Sequence, residues 1–88
     1  MKYSYNKLIK LSEDLNLGHS PLCIIDFWKN EGRNMDKVFD EMSVKTLVRI
    51  KDLYVADMEF HASLDQHAAF AESAEMFGMI AKYLNKRV

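Results

Sequence analysis

Residues 44–84 read VKTLVRIKDLYVADMEFHASLDQHAAFAESAEMFGMIAKYL. The stretch holds no proline, and its only glycine is Gly78. Residues that favour helices dominate it. Lys82, Lys86 and Arg87 follow where cations oppose the negative end of a helix dipole. The pattern predicts helix from about Val44 to Asn85, either continuous or broken once. Ser63-Leu64-Asp65-Gln66 matches a capping box, in which a hydroxyl and an amide satisfy two free N–H groups reciprocally. That box predicts a new helix starting at Leu64. A seven-residue apolar seam argues the other way. Leu53, Phe60, His67, Ala74 and Ala81 recur every seventh residue, as do Ala56, Ser63, Phe70, Phe77 and Leu84. One unbroken helix of this length would run about 63 Å. A compact domain of this size has a radius of gyration of roughly 12 Å. A continuous helix would therefore need a second copy or another partner to cover its overhang, whereas a broken one closes a bundle by itself.

Working towards the N-terminus, a short helix fits Met35 to Met42, with Val38, Phe39 and Met42 on one side. Gly32 stops a preceding helix that contains LCIIDFWKNE. Ser20 and Pro21 start that helix, with a capping hydroxyl followed by a residue whose missing N–H is not needed there. Gly18 after Leu17 is the expected stop of a first helix. That helix begins at Ser4 and carries Tyr5, Leu8, Ile9, Ser12 and Leu15. No segment alternates long enough to argue a strand. The expected fold is all-α: one domain over residues 1–88, a small bundle of four to five helices, with the long segment 44–85 broken near Ser63 or continuous.

The chain has 88 residues and a formal net charge of −1, with 12 Lys and Arg against 13 Asp and Glu. That balance excludes a strongly basic nucleic-acid coat and a strongly acidic tail. The single cysteine, Cys23, excludes an internal disulfide framework. The longest apolar run, Leu22 to Ile25, is far too short to span a membrane. Charges interrupt MKYSYNKLIK, so no secretory leader is expected and the expected setting is cytoplasmic.

Two patterns point to partners. The helix after Ser20 is apolar over about 200° of its circumference, twice the usual stripe. It is either central or shared between the core and a partner. The helix after Ser43 also has two stripes: Leu47, Ile50, Tyr54 and Met58 form one, and Leu53, Ala56 and Phe60 begin the seam. Charge is uneven as well. Residues 52–81 hold Asp52, Asp57, Glu59, Asp65, Glu72 and Glu75 and no lysine or arginine. Such a face suits solvent, a basic partner surface, or an antiparallel self-contact with the chain's own basic ends.

Chemical motifs are weak. Asp57, His61 and Asp65 would align on an unbroken helix as carboxylate–imidazole metal ligands. The same spacing also gives ordinary surface pairs. Cys23 sits in an apolar run near a helix start, with His19 its nearest histidine and no third group to orient the pair. No phosphate loop or serine elbow is present. Asp36 to Tyr54 has some look of a helix-turn-helix, with Lys45, Thr46 and Arg49 pointing outward, but its turn is short and its flanks are only slightly basic.

These observations favour a non-enzymatic protein-binding module, such as a regulator, inhibitor, adaptor or small subunit. No catalytic, metal or cofactor site is expected. The candidate binding residues are Ile24, Phe27 and Trp28 on the second helix and Phe60, His67, Phe70 and Phe77 on the seam. A homodimer through residues 53–84 is the concrete form of the reading. The alternative is a helix-turn-helix-like DNA-binding regulator using residues 36–51.

Overall fold

A computed structural model describes residues 2–87. Among the described residues the chain is all-α and forms five helices: α1 (Tyr5–Asp14), α2 (Pro21–Asn30), α3 (Met35–Asp40), α4 (Val44–Ser63) and α5 (His67–Arg87). The hydroxyls expected to start helices do so. Ser4, Ser20 and Ser43 each accept a backbone N–H from their own first turn, at 3.2 Å in every case. Asn34 does the same for α3 at 3.3 Å. The α3 helix ends two residues before the expected Met42, which is fully buried in the turn to α4.

Three helices end alike. At each, one residue takes the left-handed conformation and two reversed hydrogen bonds close the last turn. At α1 that residue is Asn16 (φ 56°), with Asn16 N–H on Glu13 and Leu17 N–H on Ser12. At α2 it is Gly32 (φ 80°), as expected. At α4 it is Asp65 (φ 55°), with its N–H on Ala62 and the Gln66 N–H on His61. Two expectations are corrected here. Gly18 does not stop α1; a Cβ there would sit 2.9 Å from the Cys23 sulphur, so the position needs glycine for close approach. Ser63 does not cap α5 either. It is the last residue of α4, and its hydroxyl donates backwards to the Phe60 carbonyl at 2.6 Å. The break lies beside Ser63, but Asp65 makes it.

That break turns α5 back along α4, and the two form the most extensive helix pair in the molecule. Arg87 at the end of α5 donates to the Met42 and Asp40 carbonyls just before α4, so the pair runs antiparallel over its full length. A straight seam from Leu53 to Leu84 does not exist. The core stripe of α4 is Leu47, Ile50 and Tyr54, which meets Met76, Ile80, Tyr83 and Leu84 of α5 in one buried cluster. Ile24, Ile25 and Trp28 of α2 and Leu8 of α1 complete that cluster. The α2 helix touches both α1 and α4, which accounts for its wide apolar arc. The radius of gyration, 12.5 Å, is that of a closed bundle rather than a rod.

Candidate docking end of the α4–α5 hairpin

The turn between α4 and α5 is pinned by a polar clasp. Ser73 on α5 is buried, and its hydroxyl donates to Asp57 Oδ2 on α4 at 2.7 Å. His61 lies between Asp57 (Nε2 to Oδ2, 3.2 Å) and Gln66 (Nδ1 to Oε1, 3.0 Å). These bonds tie the last turn of α4 to the start of α5. The bend separates Asp65 from Asp57 and His61: Asp65 lies past the end of α4, so the metal-ligand stripe that a straight helix would align is dispersed. Among the described residues no group of three His, Cys, Asp or Glu side chains is placed to hold a metal ion.

The clasp holds an apolar surface open to solvent. Six large apolar side chains are exposed among the described residues, and three of them flank this one turn: Phe60 (58 % exposed), Leu64 (51 %) and Phe70 (37 %). The Phe60 ring stands edge-on to His61, with centroids 5.7 Å apart. His61, Ala62, Gln66, exposed His67 and Phe70 line an apolar depression of about 190 Å³. Glu59, Asp65 and Glu72 are exposed near the bend, on the last turns of α4, the turn itself and the first turns of α5. A neighbouring cleft between α2, α4 and α5 is also acidic, with Asp26, Asp57 and Glu72 facing one lysine, Lys29. There the buried Tyr54 hydroxyl donates to Asp26 Oδ1 at 2.9 Å. Desolvation raises the Asp26 pKa above the usual carboxylate value, and Asp57 and Glu72 add to the rise; the Tyr54 bond and Lys29 oppose it. Desolvation and the Asp26 charge hold the Tyr54 phenol protonated.

The residues singled out from sequence fall into two sets. Ile24 and Trp28 are buried, and Phe27 and Phe77 are half-buried against the core. Phe60, His67 and Phe70 are exposed beside the α4–α5 turn, where His67 and Phe70 line one depression. Leu64 joins them and was missed, because the capping-box reading placed it inside a new helix instead of at the bend. The helix-turn-helix candidate divides similarly. Its turn, Glu41 to Ser43, is three residues and longer than expected. Lys45 and Arg49 are exposed, but Thr46 is not: it is 4 % exposed, and its hydroxyl bonds Ser43 at 2.9 Å. His19 pairs with Glu13 at 2.8 Å and not with Cys23. No described helix is long and apolar enough to cross a membrane. No family model, curated protein or solved structure matches the chain.

Proposed function

We propose that this chain is a non-enzymatic protein-binding module that docks through the end of the α4–α5 hairpin. One observation carries the reading: half of the large exposed apolar side chains stand around a single turn that a part-buried polar clasp ties together. Contiguous apolar surface rimmed by charge is characteristic of interaction sites. The rim here is acidic, so the surface it fits has an apolar centre and a basic edge. Preorganisation by the Asp57–Ser73 bond lowers the ordering cost of binding. A regulator, adaptor, inhibitor or small subunit would use the same surface.

The test is site-specific photo-crosslinking in cells. A photoreactive phenylalanine replaces Leu64 in one variant and Lys10, exposed on α1, in a control. The reading predicts discrete protein crosslinks from position 64 alone, with the partner peptide carrying Lys or Arg beside apolar residues. Equal crosslinking from both positions, or none from position 64, overturns it.

A further inference from the structure

Two of the remaining exposed apolar side chains stand at the opposite end of the same helix. Val44 (42 % exposed) and Val48 (39 %) occupy the first turns of α4. Val48 and Leu64 are sixteen residues apart, which is about 24 Å along the axis. The charge around the valines is the reverse of that at the hairpin end. Lys45 and Arg49 are exposed on one side and Lys51 is half-exposed on the other, with Asp52 as the nearby acid. The Arg49 guanidinium lies over the Tyr5 ring, its central carbon 3.6 Å from the centroid, which holds it in place. Acids just before α4 are already engaged: Asp40 by Arg87 at 3.6 Å and Glu41 by Lys2 at 3.5 Å. Among the described residues Lys45 and Lys51 make no ion pair, and neither do Glu59, Asp65 or Glu72. One chain thus carries an apolar patch with an acidic rim and, at its far end, an apolar patch with a basic rim.

We infer that the hairpin end docks on the Val44–Val48 end of a second copy of this chain, head to tail. This rests on the reading of the hairpin end as a docking surface. Contact between two hairpin ends would set acid against acid, whereas the head-to-tail contact pairs opposite charges around two apolar centres. The interface is heterologous, because the two surfaces differ, and each junction leaves one of each kind free.

Complementation between two disabled variants tests this by light scattering on a sizing column. Leu64→Lys spoils the hairpin end and Val48→Gln spoils the basic end. Each alone should weaken self-association at least about tenfold. Mixed in equal amounts, they should form a discrete species of twice the 10.3 kDa chain mass. One intact hairpin end then meets one intact basic end, and the spoiled surfaces stop further growth. Circular dichroism checks that each variant is folded, and Phe70→Lys with Val44→Gln is the second pair should either fail. Wild-type protein that stays monomeric up to about 1 mM, where even a millimolar contact would be half formed, overturns the pairing. So does either variant alone associating as tightly as the wild type, since that outcome means like binds like; a mixture that stays monomeric while the wild type associates overturns the pairing too. Crosslinks from position 64 to a different protein, with monomeric wild type, sink the pairing and leave the docking surface standing.

Discussion

Trp28 shows how one side chain can be committed to the fold rather than to a partner. It is 8 % exposed, its ring lies 5.2 Å from that of Tyr3, and the Arg33 guanidinium covers its face at 4.4 Å. Arg33 also donates to the Tyr3 hydroxyl at 2.6 Å, so the three side chains hold the N-terminal segment against α2. Trp28→Ala should cost about 3–4 kcal/mol of stability, read from the urea midpoint, because it opens a cavity and frees both neighbours. That is a large part of the total for a small domain, so a midpoint near wild type would show that Trp28 packs nothing. Asp26 makes a prediction of the opposite kind. Its carboxyl holds a proton more firmly in the folded chain than in the unfolded one. That contribution is complete below the usual pKa of 3.8 and is lost as pH rises through the raised value. Asp26→Asn keeps an acceptor for Tyr54 without the desolvated charge. The variant should be more stable than wild type at about pH 7, with the gain shrinking near pH 4. A variant weaker at neutral pH would mean that the charged hydrogen bond outweighs desolvation.

At the scale of elements, the bend between α4 and α5 decides the architecture. Asp65 sits at φ 55°, a region that costs a residue with a Cβ about 1 kcal/mol and costs glycine almost nothing. Asp65→Gly should therefore raise stability by roughly 0.5–1 kcal/mol with the helix content unchanged. A loss of stability would show that the Asp65 side chain contributes more than its backbone strain costs. The starts of helices were legible in the sequence, because Ser4, Ser20 and Ser43 carry their signal in a side chain. The stops at Asn16 and Asp65 were not, since Gly18 and the Ser63–Gln66 box stand within two residues of them and carry the stronger sequence signal. The Ser63–Gln66 box misleads for a related reason: the same four residues serve a helix start or, once Asp65 turns left-handed, a helix finish. The seven-residue seam survives the break because α4 and α5 are each amphipathic with the same period, and periodicity alone does not register three residues of bend. Phe60, His67 and Phe70 were legible as surplus apolar positions. That they gather at one end, with Leu64 between them, follows only from the fold-back.

Across the whole molecule, both ends of the α4–α5 hairpin expose apolar side chains, and the exposed unpaired charges beside them differ in sign. The bundle measures 37 × 33 × 22 Å. The turn between α4 and α5 lies at one extreme of the hairpin, and the α4 start and α5 finish, bound together through Arg87, lie at the other. The net charge of −1 hides this separation, because acids gathered towards one end cancel bases gathered towards the other. The proposed pairing of ends is partly electrostatic, so added salt should weaken it. The most direct measurement is the absolute mass of the unmodified protein on a sizing column, from dilute solution to about 1 mM. Pairing of the two ends predicts a mass that climbs above 10.3 kDa with concentration and falls back towards it as salt is raised. A mass fixed at 10.3 kDa at every concentration and salt would contradict it.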